Sequence, residues 1–224
     1  VFARLRAHWQ FKLLLTVVIN LGFWAGYGWL GRSPVFPPWM PPQVWLDTAI
    51  PFQPEPWACV YLSQFLFTGG LPWLIDTRDG VRRYSVGLVA MSAVSFAVFL
   101  FWPVASPRPA GLIASGAMAV ILGYDGAWNA FPSLHAGFLV YMARLAWRMF
   151  GGVAPVAVAL VTAAWGVAIL YATIATRQHY VVDLVAGAAI GATADWVAWS
   201  RGVPRRAAMT MERSRAVASH DGSK

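Results

Sequence analysis

Residues 131–150 read "FPSLHAGFLVYMARLAWRMF", a proline, a serine and a histidine followed by an almost unbroken apolar run. Proline suits the first turn of a helix, because its missing N–H would find no partner there. The run 132–150 has 19 residues. A bilayer core about 30 Å thick takes about 20 helical residues. The stretch therefore reads as a membrane span, with Ser133 and His135 in its first turn. A polar pair at the entrance to an apolar medium calls for a chemical reason.

Five further apolar runs lie at roughly 13–30, 57–75, 84–104, 153–174 and 180–200. The chain of 224 residues is 58% hydrophobic and only 12% charged, against about 25% charged in an average soluble domain. Its mean hydropathy is +0.56. The expected fold is an all-α integral membrane bundle of six transmembrane helices, forming one catalytic domain over 1–200. A seventh run, 110–123, has 14 residues; it is too short to span and reads as interfacial or re-entrant.

Charge sets the expected orientation. With six spans and both termini cytoplasmic, 14 of the 17 basic residues fall on the inner side, and Arg32, Arg108 and Arg177 fall outside. This is the positive-inside pattern. A seventh span would place Arg144, Arg148 and the basic tail outside. The net charge of +8 needs no nucleic acid, since basic residues flanking spans meet anionic lipid headgroups. Residues 201–224 read as a basic cytoplasmic tail. The basic start and the apolar run after it read as a retained anchor helix. Arginine supplies 15 of the 17 basic residues, a bias of GC-rich bacterial genomes, so a bacterial plasma membrane is expected.

The largest outer loop, 31–56, holds eight of the fifteen prolines and cannot be regular helix across most of its length. It reads either as an interfacial plug or as a rim over an outward-facing site. Cys59 has no partner for an intrachain disulfide and is expected to be buried and inert. Asp195, beside Trp196 near the inner end, is expected to snorkel to the interface.

The last span opens with "TRQHYVVDLVAGAAIG", Thr176 to Gly191. His179 and Asp183 are four apart and share a helix face. A carboxylate at that spacing accepts an imidazole N–H, leaving the other ring nitrogen free as nucleophile or base. An aspartate at the entrance of a span is functional by default. By the topology above, His135 and His179 open two helices on the same outer face. Helix N-termini favour anions such as phosphate, and Arg177 and Arg108 add positive charge there. Two histidines and one carboxylate also form a metal-ligand set, which spacing leaves open. A proton relay in a small transporter is a second class. That class predicts polar groups deep in several spans, whereas here they stay near the ends, Gln64 excepted.

"FPSLH" followed by "HYVVD", each opening an outward-facing span, resembles the type 2 phosphatidic acid phosphatase superfamily over nearly the whole chain. The resemblance implies that His179 is the nucleophile, becoming a phosphohistidine, that His135 is general acid and base, and that Asp183 orients His179. It implies that Ser133 helps hold the phosphate and that neither metal nor cofactor is needed. Two positions depart from the pattern. Phe101 stands where a lysine precedes Arg108-Pro109, and Ala172-Thr173 stand where Ser-Arg precedes His179. Arg177 and Arg108 are candidates to replace those cations as phosphate ligands. With "WPVASPR" and "DTAIPFQP", these departures resemble the branch of inositol phosphorylceramide synthases and sphingomyelin-synthase-like enzymes. The expected partners are a membrane lipid substrate and, for transfer, an alcohol or second-lipid acceptor. Plain hydrolysis of a lipid phosphate or polyprenyl pyrophosphate is the alternative.

Overall fold

The computed structural model describes residues 1–200; the expected tail 201–224 lies outside the described residues. These fold into helices α1 (Phe2–Arg6), α2 (Trp9–Arg32), α3 (Trp45–Ala49), α4 (Pro54–Gly70), α5 (Arg78–Phe101), α6 (Gly116–Tyr124), α7 (Leu134–Phe150), α8 (Pro155–Ala175) and α9 (Val181–Ser200). A 3-10 turn, Leu71–Leu74, follows α4. No strand occurs among the described residues. Helices α2, α5, α8 and α9 are long and apolar enough to cross a bilayer. Helices α4 and α7 have 17 residues each, and at about 1.5 Å per residue each is roughly 26 Å long. The run 110–123 yields only the nine residues of α6.

Caps, rather than hydropathy, set the boundaries. Helix α5 begins six residues before its apolar run, because the Thr77 side chain accepts the Gly80 N–H at 3.1 Å and brings a polar first turn into the helix. It ends at Phe101 because Trp102 precedes Pro103, and the residue before a proline is pushed out of the helical region. Helix α7 begins at Leu134, not at Pro132. Ser133 is its N-cap, with Oγ accepting from the Ala136 N–H at 3.3 Å. Pro132 and Ser133 therefore lie outside the helix, and only His135 is in its first turn.

Helix α7 packs most extensively against α9. Without water to drive association, helices in lipid approach through small residues four apart. Gly187 and Gly191 provide that spacing on α9. A Cβ at Gly187 would stand 2.0 Å from the Ser133 carbonyl oxygen, and one at Gly191 would stand 2.3 Å from that of Gly137. The crossing is thus backbone against backbone, and the Ser133 N–H donates to the Asp183 carbonyl at 3.0 Å.

The same end of the bundle gathers the other helix ends. Gln53 N–H, before α4, bonds Ala175 O at the end of α8 at 2.8 Å, and Trp128 N–H bonds Gly31 O at the end of α2 at 3.3 Å. The connecting loops are laced together. Trp39 N–H bonds Pro103 O at 2.9 Å, and Ala130 N–H bonds Val104 O at 3.1 Å. Two isolated parallel bridges, Trp39 to Val104 and Val104 to Asn129, result. The proline-rich loop is therefore anchored to the segment that leaves α5, which in turn pairs with the segment leading into α7.

Two expectations are overturned away from this end. Asp195 does not snorkel. It is 1% exposed and paired with Arg144 at 2.5 Å and with Arg148. These arginines, four apart on α7, face α9 across the crossing, and a buried carboxylate needs such partners. Cys59 is exposed on α4 rather than buried, because Ala58 and Tyr61 take the inward face.

Gly187→Ala should lower stability by about 1–3 kcal/mol, the usual cost of overpacking. Gly22→Ala, whose Cβ would meet nothing within 4 Å, should stay within about 0.5 kcal/mol of the parent or gain slightly. Thermal unfolding of the two variants in one detergent measures the difference.

Candidate active site

His135 lies in the first turn of α7, and His179 lies just before α9 in the turn that closes α8. That turn is tight. The Gln178 N–H and the His179 N–H both point at Thr173 O, at 3.0 and 3.4 Å. Arg177 sits in the left-handed region at φ 55°, a conformation that costs a side-chain-bearing residue about 1–2 kcal/mol. Its guanidinium donates to the Asp47 and Ile50 carbonyls, which tie the strained turn to α3.

The α7–α9 crossing brings the two imidazoles together, 5.7 Å between centroids and 56° apart in plane. Both are buried, at 6% and 4% exposure. His179 Nδ1 is 2.8 Å from the Ala130 carbonyl. A carbonyl only accepts, so Nδ1 carries the proton and Nε2 keeps its lone pair. Nε2 has no protein partner among the described residues.

Asp183 is fully buried and its Oδ2 lies 3.7 Å from His179 Nδ1. That is ion-pair range but beyond a hydrogen bond. The expected imidazole-to-carboxylate bond is thus replaced by the bond to Ala130. The reason is local: Asp183 Oδ2 accepts the Tyr180 N–H at 2.7 Å, which caps α9 and turns the carboxylate towards the backbone. Asp47, buried in the proline-rich loop, caps the same helix by accepting the Val181 N–H at 2.8 Å.

His135 is held differently. Neither ring nitrogen has a hydrogen-bond partner among the described residues. Its ring lies 3.9 Å from the Tyr61 ring, tilted 31°, with Phe65 edge-on at 6.2 Å. Its carbonyl accepts from Gln64 Nε2 at 2.7 Å. Gln64, the deep polar exception in the sequence, thus fixes the backbone of α7's first turn.

The remaining candidates separate into two groups. Ser133 is fully buried beside Asp183, and its Oγ accepts at the cap while its O–H stays available to donate. Arg108 reaches the cluster through other residues. It donates to Gln178 Oε1, donates to the Asp125 carbonyl at 3.1 Å, and lies 3.4 Å from Asp125 Oδ2. Its charge therefore faces a buried carboxylate. Arg177 is turned to the loop carbonyls. No group of three or more His, Cys, Asp or Glu is placed to hold a metal ion among the described residues.

Asp125, Tyr61, Gln178 and Asp47 are components that the sequence reading did not single out. Asp125 carried a signal, as a lone acid between apolar segments. Tyr61 carried none, because an aromatic in an apolar run is ordinary core.

A family model described as the PAP2 superfamily matches residues 39–197, well over half of the chain. No curated protein and no solved structure matches it. The matched segment takes in both histidines, Asp183 and the proline-rich loop from Trp39 onward. On that match, and with its long apolar helices, the chain belongs to the PAP2 superfamily and is an integral membrane protein with a lipid phosphatase-type function.

Proposed function

We propose that the chain is a six-span enzyme that cleaves a lipid phosphate or phosphodiester through a phosphohistidine, with the phospho-headgroup passed to an acceptor alcohol. The observation that carries this is His179 Nε2, unpartnered among the described residues and buried, while Nδ1–H is held by Ala130 at 2.8 Å. A nucleophile needs that one nitrogen free and its tautomer fixed. Nε2 forms the N–P bond as the ester P–O bond breaks, and protonated His135 gives its proton to the leaving oxygen. Neutral His135 then takes a proton from the acceptor oxygen as the new O–P bond forms and the N–P bond breaks. Asp183, 3.7 Å from Nδ1, stabilises the cationic ring in between. Ser133 donates to a phosphoryl oxygen, Arg108 acts from behind the site through Gln178 and Asp125, and Arg177 holds the turn that presents His179. Phe101, Ala172 and Thr173, where the family pattern carries phosphate-binding cations and a serine, support the lean towards transfer in the sphingolipid-synthase-like branch.

In this reading there are six spans, both termini lie in the cytoplasm, and the histidines lie at the outer face of a bacterial plasma membrane. Residues 1–200 form the catalytic domain, and its basic residues at the cytoplasmic face meet anionic lipid. The substrate's hydrocarbon lies in a cavity of about 280 Å³ along one face of α2, from Lys12 through Leu15 and Ile19 to Phe23. A second, much smaller pocket, partly lined by the same Phe23, Trp24, Phe65 and Phe138, reaches His135.

Purified protein should release a diacyl lipid's phosphate or move a labelled headgroup to an added alcohol, with no loss on chelation. His179→Ala should abolish both, and His135→Ala should lower turnover of an alkyl ester by roughly 10²–10⁴. Free phosphate without label transfer identifies a plain phosphatase. Neither product from lipid monophosphates, polyprenyl pyrophosphates or phosphodiesters removes the enzyme reading.

Thr16→Trp, which fills the inner part of the α2 cavity, should cut kcat/KM for long-chain lipid phosphates by roughly tenfold while leaving short-chain analogues near the parent value. A chain-length series on parent and variant measures it.

A further inference from the structure

We infer that Tyr61 and Asp125 form a positioning relay that supports His135 as a general acid, an inference that rests on the histidine roles proposed above. His135 has no hydrogen-bond partner on either ring nitrogen among the described residues, so nothing of the kind that fixes His179 fixes its ring. Its main contact is a π-face, the Tyr61 ring at 3.9 Å.

Tyr61 is itself immobile. It is fully buried, and its hydroxyl donates to Asp125 Oδ2 at 2.9 Å. The other carboxylate oxygen, Oδ1, accepts from the Tyr27 hydroxyl at 2.6 Å. The carboxylate is 5% exposed and lies 3.4 Å from Arg108. Helices α2 and α4 and the loop holding Arg108 thus converge on one carboxylate, which sets the angle of one ring. Tyr61 and Gln64 are one turn apart on α4 and grip the same residue, one at its ring and the other at its carbonyl.

The electrostatic consequence follows from the ring quadrupole. The negative face of a tyrosine attracts a cation lying over it, most strongly where water is excluded. A phenol that donates to a carboxylate carries more electron density in its ring, so Asp125 strengthens that face. His135 is cationic just before it protonates the leaving oxygen and again after it has taken the acceptor's proton. The Tyr61 face stabilises both of those states without occupying a ring nitrogen, so both nitrogens stay available to the substrate. Neither Tyr61 nor Asp125 touches the reacting atoms; they act through His135.

The test uses leaving groups. An alkyl phosphodiester needs its leaving oxygen protonated, whereas the matching p-nitrophenyl phosphodiester does not. kcat/KM reports only the steps up to departure of that group, so the acceptor step drops out. Tyr61→Leu is expected to lose roughly tenfold in kcat/KM on the alkyl ester, the scale of a desolvated cation–π contact, and less than about twofold on the aryl ester. Tyr61→Phe, which keeps the ring and its packing, and Asp125→Asn are expected to show the same selectivity at smaller size. Equal loss on both esters across these variants makes the pair a packing element and overturns the inference, as does no loss on either ester. His135→Ala is the reference. If it too lowers both esters alike, His135 is not the acid, and the proposed mechanism falls together with this inference. If it is selective and the Tyr61 variants are not, only the relay fails.

Discussion

The contact of α7 with α9, backbone against backbone at Gly187 and Gly191, is the constraint on which the site depends. It sets how far apart the two helix entrances lie. A separation wider by one methyl group would stretch the backbone bond from Ser133 to Asp183 and draw apart imidazoles whose centroids now lie 5.7 Å from one another. In lipid this approach gains nothing from water exclusion. It rests on dispersion and on the Ser133 to Asp183 backbone bond. The paired Asp195, Arg144 and Arg148 hold the same two helices at their far ends, so the crossing is clamped on both sides of its closest point.

Buried carboxylates do most of the remaining assembly, and each closes a loop onto a helix end. Asp47 and Asp183 cap α9 from outside and inside. Asp125 joins α2 and α4 to the connection that carries Arg108. Burying a carboxylate is costly unless donors reach it, and of these carboxylates only Asp183 leaves an oxygen, Oδ1, without a donor among the described residues. Each one therefore fixes the geometry of whatever supplies its donors.

How much of this was legible in the sequence depends on the range of the interaction. Each of the six apolar runs overlaps a long helix, because hydropathy is a property of consecutive residues. The ends were displaced where a local cap outweighed it, as at Thr77 and Ser133. The candidate site was legible as far as His135, His179, Asp183 and Ser133, which open their segments in recognisable company. Local spacing pointed to Asp183 as the acceptor for His179, yet the acceptor nearest in space is Ala130, 49 residues away along the chain. Arg177 was read as a charge facing phosphate, but its neighbours are the carbonyls of a distant loop. Tyr61 and Asp125 could not be connected to His135 at all, because only folding places α4 and the α6–α7 connection against the first turn of α7.

The bond from His179 Nδ1 to the Ala130 carbonyl has a consequence for how this protein would look to genetics. The group that fixes the tautomer belongs to the backbone, at a position that is already alanine. A scan that replaces each side chain by alanine passes over it without a signal. The ladder through Val104 and Trp39 that holds this carbonyl in place is itself made of backbone bonds, so alanine at those positions leaves it standing. Only a change to the backbone itself, such as proline at Val104, whose N–H bonds Trp128 O, would expose what orients the His179 ring.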